Sequence, residues 1–332
     1  MARQFATLSR DVFAGLIAST ISVAYGLSFA ALIFAPPLTP WIAYGIAATF
    51  LTAAISAAFV AARSSFPFAL AGPDGSTVAV TATLVAALLE RLNATGAPDD
   101  LLAPVMIVMA LSAALTGILL FGLGLARAGG AIRFVPYPVI GGFLGATGWL
   151  MVSGAARVIT DHALNLRDID SLLGTSALAE LAAGVTIAIA LYFCIRRRGN
   201  NPYVLPGILL AGIAATHLVL LFTGTSLTEA QAAGWTFKAP AAVGLTPTWD
   251  FGDLNLFPWK VLPSLAGDLF AVVFVTAVGT LLNTTGIEFV TKREADFQRE
   301  LTTLGAANLT AAALGGYAST IALNRTTLNF AA

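Results

Sequence analysis

The chain has 332 residues, of which 58% are hydrophobic and only 10% are charged, and its formal net charge is zero. Soluble domains carry roughly 25% charged residues, so this composition excludes an ordinary soluble fold and indicates many lipid-facing helices. The neutral charge gives no reason to expect a nucleic-acid partner. A single cysteine, Cys194, excludes an intramolecular disulfide, and with only two histidines we expect neither a bound metal nor a cofactor.

Hydrophobic runs divide the chain into ten predicted membrane segments of an all-α integral membrane protein. A spanning helix needs about 20 mostly apolar residues, and seven runs approach or exceed that length: 11–34, 40–62, 101–126, 135–157, 177–196, 203–223 and 261–290. Three shorter segments lie at 73–90, at 299–314 and from 324 onward. The stretch 224–260, with three tryptophans, is predicted as a long polar-aromatic loop on one membrane face.

Basic residues between these segments are divided unevenly between the two membrane faces. Eleven lie on the side of the N-terminus and five on the opposite side. Cytoplasmic loops carry the excess of Lys and Arg, so we predict a multi-pass protein of the inner (plasma) membrane with a cytoplasmic N-terminus. One basic residue, Arg325, falls inside a predicted segment, where a charge is costly and usually functional or paired.

Two of the short segments begin with non-helical sequence of the same kind. Residues 65–77 read SFPFALAGPDGST, and residues 315–327 read GGYASTIALNRTT. Each has extended residues, a polar cluster and then helix-forming sequence. Non-helical backbone is tolerated at membrane depth only where it is buried in protein or lines a cavity, and paired interruptions point to the binding site of a transporter. We therefore predict a transporter whose substrate lies between these two tips.

Four motifs resemble those of the SulP (sulfate permease) anion transporters. AYGLSFA at 24–30 is similar to the family's opening helix, and Gly72-Pro73 to the Gly-Pro that begins its third helix. FVPYPVIGGF at 134–143 resembles the entry to the fifth helix, and RELTTLGAANLTAAALGG at 299–316 the stretch that leads to the tenth. In order and spacing, the resemblance covers essentially the whole chain.

The resemblance implies an inverted repeat of seven plus seven spans, divided into a core and a gate. By that count residues 1–223 are the first repeat, 224–260 an extracytoplasmic loop, and 261–332 the first three segments of the second repeat. Half-helices 3 and 10 would each follow a short extended segment. The spans that complete the gate, and the cytoplasmic STAS domain of many members, would be absent, so we expect a truncated chain.

The half-helices predict an anion site. Two helix N-termini that meet aim their free N–H groups and positive dipole ends at one point, and Arg325 adds a full charge. The resemblance implies these substrate contacts: Tyr25, Phe29, Gly72, Pro73, Asp74, Gly75, Ser76, Asn324, Arg325 and Thr326. Alternatives stay open, since Tyr25 and Phe29 could be plain packing aromatics and Arg325 an ordinary charge beyond a helix end.

Two departures from the family bear on the substrate. Asp74 follows Gly72-Pro73, where known anion transporters have an apolar or small residue, and it is either a helix cap or a functional acid. The eighth segment reads GTLLNTT at 279–285 and lacks the acid that the family often places there, which argues against a sodium or proton site on that helix.

We therefore predict a secondary transporter in which core and gate move against each other by an elevator-like or rocking motion. Its expected substrate is a small anion of the sulfate, bicarbonate, chloride or carboxylate class. The alternative is a proton-coupled transporter of a zwitterionic or cationic substrate that uses Asp74. An enzyme is not expected, because no nucleophile–base–acid set converges on any loop. Lipid is a certain partner, and a coupling proton and a homodimer are left open.

Overall fold

A computed structural model describes residues 2–95, 100–130, 137–160, 175–198, 201, 203–233, 235–236 and 253–331. The α-helices in these ranges are α1 (Ala2–Ile33), α2 (Ile42–Arg63), α3 (Gly75–Thr95), α4 (Leu102–Leu125), α5 (Tyr137–Thr160), α6 (Thr175–Arg198), α7 (Val204–Thr223), α8 (Leu227–Ala232), α9 (Ala266–Thr291), α10 (Phe297–Ala313) and α11 (Leu323–Ala331). Two short strands, β1 (Ala71–Gly72) and β2 (Thr320–Ile321), precede α3 and α11. Short 3₁₀ helices lie at Thr39–Trp41, Asp253–Leu256 and Trp259–Leu265.

These helices confirm the predicted all-α membrane fold, with an extended segment before each half-helix. Six described stretches are long and apolar enough to cross a membrane: Thr39–Arg63, Gly75–Ala94, Leu102–Leu125, Leu178–Arg198, Pro206–Thr223 and Trp259–Thr291. The helices α10 and α11 have 17 and 9 residues, in keeping with short ninth and tenth segments. Helix α1 begins well before the predicted residue 11, since neither Pro nor Gly interrupts residues 2–10.

Parts of the predicted loop and of one motif lie outside the described residues, namely 131–136, 234 and 237–252. The described part of the 224–260 loop contains α8, which begins with a capping box. The Ser226 hydroxyl accepts from the Glu229 N–H at 3.2 Å, and the Glu229 carboxylate accepts from the Ser226 N–H at 2.7 Å. Hydrogen bonds from the backbone and side chain of Ser226 hold the pKa of Glu229 below its usual range.

A row of hydroxyl side chains on α2 holds the segment that leads into β2. Thr49, Thr52 and Ser56 are buried and lie on one helix face. The Thr49 and Tyr317 hydroxyls are 3.0 Å apart, and Thr52 Oγ1 accepts from the Tyr317 N–H at 3.0 Å. Ser56 Oγ lies 2.7 Å from Ser319 Oγ. These bonds satisfy polar groups of a non-helical segment at a depth where water is scarce.

Two polar side chains of α10 hold both non-helical segments. Glu300 is 1% exposed, and its Oε1 accepts from the Ser64 and Ser65 hydroxyls at 2.8 and 2.7 Å, just beyond α2. The fully buried Asn308 accepts from the Ser319 N–H at 2.8 Å and donates to the Ser319 carbonyl at 3.0 Å. The segments before β1 and β2 are therefore both anchored on this helix.

Close packing against α4 fixes the position of α10. A Cβ atom at Gly305 of α10 would lie 2.5 Å from the backbone nitrogen of Phe121, and one at Gly124 of α4 would lie 2.9 Å from that of Thr302. Such contacts require residues without a Cβ, as is common where membrane helices meet. The main apolar core lies beside this pair and includes side chains of α1, α3, α4 and α9.

We expect the Thr52→Val variant to be less stable by about 1–3 kcal/mol, because the buried Tyr317 N–H would lose its acceptor. Thermal unfolding of the purified protein in detergent measures the change. The matched control is Thr20→Val on α1, whose exposed hydroxyl bonds only to the Leu16 carbonyl of its own helix. Equal losses in the two variants would contradict a specific role for Thr52.

Candidate substrate-binding site

The two strands join the starts of the two half-helices. β1 and β2 pair antiparallel, with Ala71 opposite Ile321 and Gly72 opposite Thr320. The Ala322 N–H extends the pairing by donating to the Leu70 carbonyl at 2.9 Å. Because each strand has only two residues, their pairing places the N-terminus of α3 beside that of α11. The structure thus brings together the two tips that the sequence singled out.

Helix α9 supports this strand pair with polar side chains. The Thr280 and Thr320 hydroxyls are 2.8 Å apart. The Asn283 side chain donates to the Ile321 carbonyl at 2.8 Å. The polar residues of the eighth segment therefore satisfy strand β2, which explains a need for Thr and Asn in this helix where the family often places an acid.

Both helix tips present free backbone N–H groups. The first intrahelical bond of α3 runs from the Val78 N–H to the Asp74 carbonyl, and that of α11 from the Thr326 N–H to the Ala322 carbonyl, both at 2.9 Å. The N–H groups that precede these donors have no intrahelical acceptor, as at every helix N-terminus. Two positive dipole ends therefore converge on the joint between the strands.

Arg325 is the cation of this joint. It lies in the first turn of α11, is 6% exposed, and its Nη2 donates to the Pro73 carbonyl at 2.7 Å. A Cβ atom at Gly72 would lie 3.4 Å from Arg325 Nη1. The guanidinium of one half-helix is thus held against the backbone just before the other, so it is not an ordinary charge beyond a helix end.

Asp74 lies on the opposite tip and is only partly buried. Its Oδ2 accepts from the Ser76 hydroxyl at 3.0 Å, while the hydrogen bond from Arg325 goes to Pro73. Asp74 interacts electrostatically with both Arg325 and Tyr25. The carboxylate and the guanidinium therefore share one site, and each has its closest hydrogen-bond partner elsewhere.

The two aromatic residues of α1 have different surroundings. Helix α1 packs against α3 and α11, and the Tyr25 and Phe29 rings stack with centroids 5.7 Å apart and planes at 6°. Tyr25 is half-buried, and its phenol interacts electrostatically with Arg325 and Asp74. Phe29 is buried in the apolar core. Tyr25 is therefore the member of the pair that faces the charged groups.

The remaining predicted residues differ in how far they are engaged. Thr326 is buried, and its hydroxyl accepts from the Leu70 N–H at 3.0 Å and contacts the Leu70 carbonyl at 3.2 Å, so it fastens α11 to the approach to β1. Asn324 is exposed, while Gly75 and Ser76 are partly buried at the start of α3. The half-helix tips thus leave Asn324, Gly75 and Ser76 accessible to a ligand.

Sequence reasoning missed the polar network that supports the site. Tyr317 and Asn308 are fully buried and bind the segment before β2. A signal for the network was present, since Thr49, Thr52 and Ser56 recur at helical spacing in an otherwise apolar segment. Within the described residues no cluster of three or more His, Cys, Asp or Glu side chains could hold a metal ion. The chemistry of the joint is therefore that of hydrogen-bond donors and one cation.

Replacement of Gly72 by alanine is expected to destabilise the joint. Gly72 has φ 151°, a conformation unfavourable for residues with a Cβ, and the new methyl group would also contact Arg325 and Ala53. We expect a loss of about 1–3 kcal/mol in the free energy of unfolding, measured by thermal unfolding in detergent. Gly141→Ala on α5 is the control, because a Cβ there would meet nothing within 4 Å. A Gly72→Ala protein as stable as this control would contradict the strain.

Comparison with solved structures shows the same fold in membrane transporters. The transmembrane domain of BicA, a cyanobacterial bicarbonate transporter, is similar with a TM-score of 0.72 at 21% identity, over 98% of this chain and 78% of that one. SLC26A9 is similar with a TM-score of 0.69 at 17% identity, over 97% of this chain and 50% of that one. At these identities the likeness concerns the fold alone.

Sequence comparison extends the likeness along the chain. The vacuolar basic amino acid transporter VSB1 of Saccharomyces cerevisiae is 23% identical over 322 residues, which cover 91% of this chain and 30% of the yeast protein. The chain thus spans less than a third of the length of that relative. The profile of the sulfate permease family matches residues 8–332. The match covers nearly every residue, and the chain belongs to the sulfate permease family.

Proposed function

We propose that the chain forms the transport core of a secondary transporter that moves a small anion. The observation that carries the proposal is the joint itself, where two helix N-termini and the buried Arg325 meet at one point. Free N–H groups and a guanidinium are the donors that bind oxyanions and carboxylates. The predicted contacts of Tyr25, Asp74, Gly75, Ser76 and Asn324 with the substrate belong to this proposal.

The proposal includes how the site is exposed in turn to the two faces. A rigid joint, anchored by side chains of α2, α9 and α10, favours movement of the core as one body against a gate. The cytoplasmic N-terminus, the inner membrane and the division into repeats at residues 223 and 261 are part of the proposal. It names the substrate class of sulfate, bicarbonate, chloride or carboxylate, and BicA, which transports bicarbonate, supports the choice.

Uptake into proteoliposomes by the full-length protein tests this function. Labelled sulfate, bicarbonate, chloride and a small carboxylate are offered in turn. The Arg325→Gln variant is expected to lose tenfold or more of the uptake, because hydrogen bonds to a charged group contribute about 1.5–3 kcal/mol. Arg196→Gln is the matched control, since Arg196 is exposed at the end of α6. Undiminished anion uptake in Arg325→Gln would refute the role of this residue.

A second candidate is a proton-coupled carrier of a zwitterionic or cationic substrate. Two observations favour it: the Asp74 carboxylate lies in the same site as Arg325, and the yeast relative is a basic amino acid transporter. In this arrangement the carboxylate of an amino acid would bind the helix tips, while its ammonium group would bind Asp74. The opposite charges of the site match the two ends of such a substrate.

The Asp74→Asn variant distinguishes the two candidates. For an anion, protonation of Asp74 frees Arg325, so uptake should rise as external pH falls, and the variant should lose this acid stimulation. For a basic amino acid, the variant should take up labelled lysine or arginine at least tenfold more slowly, because it lacks the carboxylate partner. Asp268→Asn in the first turn of α9 is the control for loss of an acid at a helix start. Acid stimulation that persists in Asp74→Asn would refute a proton role for Asp74.

A further inference from the structure

A cavity of about 230 Å³ lies between α1, α3 and α5. Its walls are largely apolar, and the lining includes Leu32 of α1, Ala82 of α3 and Trp149 of α5. Arg157 is the one charged residue of this lining, and its Nη2 donates to the Pro36 carbonyl at 2.6 Å. Since a water molecule takes about 30 Å³, the cavity has room for a small hydrated ion.

The cavity continues the face of α3 that begins at the substrate tip. Residues of this face are three or four positions apart along the helix: Gly75, Ala79, Ala82, Thr83 and Ala86. All but Gly75 line the cavity. The tip and the cavity therefore lie on one side of α3, the side on which α5 packs.

One side chain of α5 lies between the tip and the cavity. A Cβ atom at Gly75 would lie 2.8 Å from Met151 Cε and 2.9 Å from Met151 Sδ, so Met151 covers the first residue of α3. Its neighbours Trp149 and Leu150 line the cavity. Met151 is 41% exposed, and an unbranched thioether changes rotamer easily. Rotation of this side chain would connect the cavity with the tip while the backbone stays in place.

We propose that this cavity is the access path between the substrate site and the membrane face at which α3 ends, and that Met151 closes it. The proposal rests on the proposed function, since it takes the joint between the half-helices as the transport site. Arg157 lies towards the end of α5, where its positive charge favours entry of an anion. In the predicted orientation this face is extracytoplasmic.

The same contact gives Gly75 a second reason to be glycine. A glycine at a helix tip lets a ligand approach the backbone, and here it also leaves room for Met151. The two reasons predict different results when the Met151 side chain is removed. If Gly75 serves Met151, shortening Met151 makes a methyl group at position 75 acceptable. If Gly75 serves the ligand alone, shortening Met151 changes nothing.

Cysteine labelling tests the path without relying on transport. The single natural cysteine is replaced (Cys194→Ser), Met151→Cys is added to the full-length protein, and a membrane-impermeant maleimide is applied to one face at a time. Labelling is expected from the face at which α3 ends, and at least tenfold faster than at Val272→Cys, a fully buried position in the apolar core. Labelling only from the opposite face, or at the rate of the buried control, would overturn the path.

A double-mutant cycle tests the contact between Gly75 and Met151. Gly75→Ala is expected to lower uptake about tenfold because the methyl group overpacks against Met151, and Met151→Ala should restore it. Gly279→Ala is the control, since its Cβ would lie 3.6 Å from Ser76 Oγ, an ordinary contact. Loss of uptake in Gly75→Ala that persists with Met151→Ala would overturn the closing role of Met151. If labelling follows the expected pattern but no offered anion is taken up, the proposed function fails while the path stands.

Discussion

The pairing of two dipeptide strands is the interaction on which the rest of this structure depends. Inside a membrane, backbone that leaves a helix must find its hydrogen bonds within the protein. β1 and β2 meet this need for each other, with Ala71 opposite Ile321 and Gly72 opposite Thr320. The same bonds bring together two helix N-termini, each with free N–H groups. The constraint that makes the interruptions tolerable therefore also builds the binding site.

The joint is stabilised by side chains from three helices. Hydroxyls of α2 hold Tyr317 and Ser319, Glu300 and Asn308 of α10 hold both approach segments, and α9 holds β2 through Asn283. These groups are deeply placed, and an unsatisfied one would cost about 1–3 kcal/mol. Such a support holds the two tips in one arrangement. Movement during transport then falls to the contact between this core and α5, where Met151 lies on Gly75.

The charges of the site bear on what it can carry. A buried guanidinium without a counter-charge is costly, and here the Pro73 carbonyl and the nearby Asp74 both offset that cost. With Asp74 ionised, the two side chains are together neutral, and an anion gains less from Arg325 than it would without the acid. Protonation of Asp74, or a substrate that brings its own positive group, removes this limitation. The substrate class therefore depends on Asp74 as much as on Arg325.

The sequence by itself determined the helical membrane fold, the two interruptions and the residues at their tips. Apolar run length predicted the helices, because the hydrocarbon thickness fixes how long a span must be. The Gly72-Pro73 and Asn324-Arg325 sequences showed where helices restart, because such residues are costly inside an apolar helix. These features are local, and a sequence displays them directly.

Only the tertiary structure decided which groups meet across the chain. Arg325 donates to Pro73, 252 residues away, and Thr52 accepts from Tyr317, 265 residues away. No local pattern pairs such partners, since a buried donor accepts any acceptor that the fold brings within reach. The tertiary structure likewise separated Tyr25, which faces the charges, from Phe29 in the apolar core, although one helix turn divides them. Their surroundings differ because α3 and α11 pack against α1 at an angle that only the assembled helices set.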